Sequence, residues 1–237
     1  MKKTISLLLM GFMGMAGASA GASAREDSVD RLQSSVEVLH AVMGTPDKGI
    51  PEEVLDGAKC ILVVPNLIKG GFIFGGKHGR GVASCRTAEG WSAPAFVSVG
   101  GGSWGLQIGI EDVDLVMLVM NDQGLQHLLS SKFEFTGEGS VAAGPVGRHA
   151  SAGTDWKMNT EVLTYSRSHG VFAGLTLEGA LVEQDNDSTR AIYGKHMEFR
   201  SILSGRVSTP RSGEAFVKAV SEAGQQAHVA KVDEDKK

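Results

Sequence analysis

Between Cys60 and Met120 the chain keeps a two-residue apolar rhythm that glycine repeatedly interrupts: CILVV, GFIFG, RGVASCR, PAFVSV, WGLQIGI and VDLVMLVM. Successive side chains of a strand point to opposite faces, so short runs of period two demand strands and exclude a helical bundle. In WGLQIGI, Trp104, Leu106, Ile108 and Ile110 share one face while Gly105, Gln107 and Gly109 share the other, the pattern of a half-buried antiparallel strand. Strand-like runs resume at EVLTYSR and GVFAGLTLEGALV. The 32 glycines in 237 residues are close to twice the usual share of about 7%, and they suit tight turns and close backbone approaches.

Helical periodicity flanks these strands. Asp27 and Ser28 can cap a helix whose apolar positions are Val29, Leu32, Val36, Leu39, Val42 and Met43, ending near Gly44. Pro51 opens a short helix through Leu55 to Gly57, Asn121 caps another through Leu125, Leu128 and Leu129, and GEAFVKAVSEAGQQA follows Pro210 as a last one. The expected fold is α+β: one domain dominated by antiparallel strands, in two packed sheets or an open barrel, with N-terminal amphipathic helices and a C-terminal helix. We divide the chain into a leader over 1–24, a domain over 27–209, and a C-terminal helix with a frayed tail over 210–237.

The leader is read as a signal peptide. Lys2 and Lys3 precede the apolar run ISLLLMGFMGMAG, and Ala22-Ser23-Ala24 stands at a cleavage-like position. No cysteine is placed for lipid attachment, so an exported protein, periplasmic or secreted, would reach a membrane only peripherally. Losing Lys2 and Lys3 takes the bases from 23 to 21 against 27 acids, and the net charge from -4 to -6. That balance speaks against a nucleic-acid partner unless charge is segregated. Cys60 and Cys85 allow a single intramolecular pairing. Two buried thiols are the alternative, and an oxidising compartment favours the disulfide.

Catalytic and ligand motifs are incomplete. Gly71, Gly76 and Lys77 fall at P-loop spacing, but His78 stands where a magnesium-binding hydroxyl belongs, and Phe72-Ile73-Phe74 reads as strand with more strand behind it. A hairpin fits better, with Gly75 and Gly76 entering its turn and Gly79 and Gly81 leaving it. Gly101-Gly102-Ser103-Trp104-Gly105 matches a nucleophile elbow, yet no helix pattern follows Ser103; Asp155 and His169 complete only the chain order of a serine hydrolase. No two histidines lie within five residues, so no metal or cofactor is expected. Asp185-Asn186-Asp187 resembles the opening of a calcium loop but has Arg190 where the glycine belongs, which leaves a solvated turn.

Charge is more informative. From Gly57 to Ala88 no acid accompanies Lys59, Lys69, Lys77, Arg80 and Arg86; Arg148 and His149 lie in a second acid-free stretch, and Arg167 with His169 in a third. Between Ser188 and Arg211 five bases, Arg190, Lys195, Arg200, Arg206 and Arg211, face only Glu198. These bases either converge on one surface or scatter, as surface Lys and Arg usually do. If they converge, each contributes around 1 kcal/mol toward an anionic membrane, and an amphipathic helix adds apolar insertion.

Four long phrases, AKCILVVPNLIKGGFIFGGKHGRGV from Ala58, WSAPAFVSVGGGSWGLQIG from Trp91, VAAGPVGRHASAGTD from Val141 and YSRSHGVFAGLTLEGA from Tyr165, resemble the SYLF domain family. That family occurs in exported bacterial proteins and in eukaryotic proteins of endocytosis and actin patches. The resemblance implies phospholipid binding without catalysis, and in some members actin binding. It leads to Lys69, Lys77, His78, Arg80, Arg148 and Arg167 as lipid contacts on an anionic phospholipid surface. A structural or partner-binding envelope module, with an unknown protein partner, is the alternative.

Overall fold

The computed structural model describes residues 16–44, 49–71, 74–104, 109–130, 132–134, 141–144, 160–168, 171–173 and 179–223. Two helices come first, α1 (Ala16–Met43) and α2 (Glu52–Gly57). The strands β1 (Cys60–Gly71), β2 (Phe74–Thr87), β3 (Gly90–Trp91), β4 (Ala95–Trp104) and β5 (Gly109–Val119) follow. Helix α3 (Asp122–Leu129) then leads into β6 (Lys132–Glu134), β7 (Val141–Ala143), β8 (Val162–Ser168), β9 (Val171–Ala173) and β10 (Ala180–Gln184). The chain closes with α4 (Asn186–Tyr193), α5 (Phe199–Leu203), a 3-10 turn over Arg211–Gly213 and helix α6 over residues 214–223.

The strands form one ten-stranded sheet, ordered β6-β10-β4-β2-β1-β5-β8-β7, with β3 on β2 and β9 on β8. It is a single strongly curled sheet, not two packed sheets. Pairing is antiparallel except between β7 and β8. The two-residue rhythm sorts its side chains into two cores. On one face Leu62, Val64, Ala83, Val97, Val99, Leu115, Met117 and Val182 pack with α3 and α5. On the other, Ile61, Val63, Val82, Phe96, Val116, Leu118 and Tyr165 pack with α1, α2, α4 and α6. Each fully buried aliphatic or aromatic side chain contributes about 1.5–3 kcal/mol.

Three sequence expectations shift. Helix α1 begins at Ala16 and runs straight through Asp27 and Ser28, which therefore cap nothing; Ser28 instead donates its hydroxyl to the Ala24 carbonyl at 2.7 Å. The β1–β2 hairpin forms, but the register Gly70↔Gly76 and Gly71↔Gly75 puts its connection at residues 72–73, which lie outside the described residues. Lys77, His78 and Arg80 are consequently strand residues, not turn residues. Helices α4 and α5 were not anticipated at all. Asn121, by contrast, caps α3 as expected, accepting from the Gly124 N–H at 2.9 Å.

Pro65 sits inside a central strand, where it cannot donate to the ladder. A bulge accommodates it: pairing with β5 shifts between Val64 and Leu67, and Asn66 adopts φ 51. Cys60 and Cys85 face each other in register and form a buried disulfide.

Candidate functional site

The described helices cover only part of the second face. Beyond Val82 on β2 and Phe96 on β4, that face continues as Arg80 opposite Ser98, His78 opposite Gly100, and Gly76 opposite Gly102. Ile68 on β1 lies opposite His78 and is 51% exposed. Alternation sends Lys69 and Lys77, a cross-strand pair, to the opposite face. The expected basic residues therefore divide: His78 and Arg80 on one face, Lys69 and Lys77 on the other, all at the far end of one hairpin.

Charge is segregated across the strands. β2 carries only bases and β4 carries no charge, whereas β5 opposes β1 with Glu111 and Asp112 and then continues to Asp114. Arg167 lies on β8, opposite Asp114 of that acidic strand. Its Nε donates to Asp114 Oδ2 at 3.1 Å, with Nη2 on the same oxygen, while Asp114 Oδ1 accepts the Asn66 N–H at 3.2 Å. Arg167 thus braces the β1 bulge. Arg148 lies outside the described residues, as do His149, Asp155 and His169.

A groove of about 490 Å³ opens beside Arg80, bounded by His78, Ser98, Gln184, Asp185, Asn186 and Asp187. Its centre is Asp185, which is not a solvated turn residue. Asp185 is buried and caps α4, accepting the Ser188 N–H at 3.0 Å on Oδ1 and the Ser188 hydroxyl at 2.7 Å on Oδ2. The buried Arg31 of α1 donates Nη1 to the same Oδ2 at 2.9 Å, and Arg80 brings Nε within 3.4 Å of it. Two guanidinium groups thus share one carboxylate. Burial pushes the Asp185 carboxyl up, but the Ser188 hydrogen bonds and Arg31 outweigh it and hold the group below its ordinary value. Burial in turn lowers the Arg31 guanidinium, with Asp185 acting against that shift.

Arg31 also lies 5.6 Å from the centre of the Phe96 ring, so a cation in the α1 interface is held by a carboxylate and an aromatic face. Arg25, two turns earlier on α1, donates Nη1 to the Ala191 carbonyl at 3.0 Å at the C-terminal end of α4. Helix α1 therefore grips α4 at both ends, with cations on the carbonyl end and on the capping carboxylate. None of this was legible beforehand, because Arg31 and Asp185 stand 154 residues apart.

A family model, Ysc84, described as Las17-binding protein actin regulator, matches residues 100–223, more than half of the chain. The chain belongs to the Ysc84, or SYLF, family. The SH3 domain-containing protein PJ696.02 of Schizosaccharomyces pombe is 34% identical over 175 residues, 72% of this chain and 40% of that protein. Protein YSC84 of Saccharomyces cerevisiae is 32% identical over 176 residues, 73% and 37% respectively. The human SH3 domain-containing YSC84-like protein 1 is 33% identical over 172 residues, 72% and 49%. The chain spans no more than half the length of these three relatives.

Within the SYLF domain the nucleophile-elbow reading fails on geometry. Ser103 lies inside β4, paired with Gly75, and the next described element is another strand, β5. Ser103 thus lies within a strand ladder and not at the strand-to-helix turn that an elbow requires.

Proposed function

We propose that this SYLF domain is a non-enzymatic binding module that attaches to anionic phospholipid surfaces through the far end of the β1–β2 hairpin. The observation that carries the reading is the end of the sheet that no described helix covers, where exposed Ile68 shares a face with His78 and Arg80 while Lys69 and Lys77 stand on the other, on strands free of acid. Between Lys69 and Lys77 the sequence supplies Phe72, Ile73 and Phe74, an apolar segment flanked by bases. Bases near an anionic surface contribute around 1 kcal/mol each, and apolar side chains add insertion. Helix α1 is a poorer membrane element, because its Leu32, Val38, Leu39 and Val42 are buried in the core.

Co-sedimentation with phosphatidylcholine vesicles of increasing phosphatidic acid content tests the proposal. Binding should rise with acidic lipid, fall with salt, and weaken when Lys69 and Lys77 are both changed to Glu; binding indifferent to lipid charge and salt would overturn it. A second reading, favoured by the family description as a Las17-binding actin regulator, is a protein-binding scaffold. It predicts a defined crosslinked partner and no vesicle binding.

Export is part of the same proposal. The described positions from Gly21 to Asp27 are exposed or half-buried, and Ser28 is the first buried position after them. Cleavage after Ala24 would therefore remove no core side chain among the described residues. Mass spectrometry of the natural protein should find Arg25 as its first residue, and an intact Met1 would refute the leader.

A further inference from the structure

The glycines of β2 and β4 separate by face. A Cβ at Gly79 would meet Leu67 Cδ1 at 2.7 Å, at Gly81 it would clash with the Val63 carbonyl oxygen, and at Gly101 it would meet the Gly179 carbonyl oxygen at 2.6 Å. Packing against their own neighbours explains those three. On the groove face nothing of the kind holds among the described residues: a Cβ at Gly102 would meet none of their atoms within 4 Å, and at Gly76 or Gly100 only a carbonyl oxygen at 3.9 Å. None of these three has positive φ. Glycine weakens a strand interior, so glycine that neither packing nor backbone requires marks a place where something outside the chain comes close.

The glycine floor adjoins the groove directly. The rows Gly76–Gly102 and His78–Gly100 lead to Arg80–Ser98. Gly76 and Gly100 have ladder partners on both sides, and Gly102 is paired with Gly76. The floor's glycines carry no side chains, and His78 and exposed Ile68 border it. At its end Arg80 is held through Nε by Asp185, which Arg31 and Ser188 fix in turn. No protein partner is found for the two terminal nitrogens of Arg80 among the described residues. Asp187 also lines the groove and lies 3.6 Å from Arg190, so Arg31, Arg80 and Arg190 against Asp185 and Asp187 leave one net positive charge.

We propose that Arg80 is the phosphate-binding centre of this groove and that the glycine floor over Gly76, Gly100 and Gly102 seats the glycerol and the start of an acyl chain of the same phospholipid. Planar guanidinium groups recognise phosphate through paired N–H donors, and Asp185 is the positioning residue that aims them. The inference rests on the phospholipid reading above and adds the site and the orientation of the lipid within it.

The test is co-sedimentation of the full chain with phosphatidylcholine vesicles doped with phosphatidic acid, with thermal melts run in parallel. Gly100→Val with Gly102→Val should melt at or above the wild-type temperature, since the space is open and Val favours strands, yet bind about tenfold more weakly or worse. Arg80→Lys, which keeps the charge and loses the fork, should weaken binding, and Asp185→Asn should weaken it less than Arg80→Ala. A folded Gly100→Val/Gly102→Val protein or a folded Arg80→Ala protein that binds like wild type overturns the groove. If binding then still disappears in Lys69→Glu/Lys77→Glu, the phospholipid reading stands without the groove. Wild-type protein that ignores vesicles, but whose His78 and Arg80 NMR signals shift with inorganic phosphate, would overturn the lipid and leave a free-phosphate site. No response to either probe overturns both.

Discussion

Asp185 does the most at the scale of a single residue. It caps α4, pairs with Arg31 from the other end of the chain, and orients Arg80. Removing one partner of a buried ion pair leaves the other uncompensated, so Arg31→Met should cost about 3 kcal/mol in urea unfolding. The carboxyl lies below its ordinary value of 3.8 in the folded state. Its stabilisation is therefore complete above that value and is lost as pH falls through the lower, folded-state value. Wild-type protein should lose stability on acidification to about pH 3, and Asp185→Asn, weaker at neutral pH, should lose less over the same interval; equal losses would refute the assignment. The cysteines were readable where Asp185 was not. Two cysteines permit one pairing, whereas nothing in a linear sequence links Arg31 to an Asp so far away. Both thiols should resist alkylation in folded protein isolated without reductant. Changing both to Ala should cost about 3 kcal/mol, because the bridge spans a sequence separation of 25.

Among the elements, strands were legible and their ends were not. Period two located β1, β2, β4, β5 and β8, but the hairpin was expected to turn between Gly76 and Gly79 because glycine usually announces a turn. Here Gly79 and Gly81 are glycine so that the strand can lie against Val63, Val64 and Leu67, and the turn comes earlier. Helix α4 escaped notice for a related reason: Asp185-Asn186-Asp187 reads as a loop until the Asp185 carboxylate is seen to accept from Ser188. Because α1 holds α4 by Arg25 and Arg31, Arg25→Ala should fray the carbonyl end of α4 and lower stability by about 1 kcal/mol. Faster amide exchange confined to Ala191–Lys195 would show it; unchanged exchange there would refute the grip.

At the scale of the whole molecule, the α+β class and the single domain followed from the alternation of patterns, while the choice between two packed sheets and an open barrel did not. Curl depends on which strands become neighbours, and β10, late in the chain, pairs with β4. The second core likewise joins Leu32, Val38, Leu39 and Val42 of α1 to Phe216, Ala219, Val220 and Ala223 of α6. Truncation after Gly205 deletes those last four buried side chains. It should abolish cooperative melting, because losing a buried Phe alone costs about 3–5 kcal/mol. The same closure has a consequence in time. Contacts between the first and last helices cannot form until nearly the whole chain has been synthesised, and long loops must close before they do. A chain assembled in that order stays threadable while its tail is still on the ribosome, and it completes its core only after the last helix is free to return to the first.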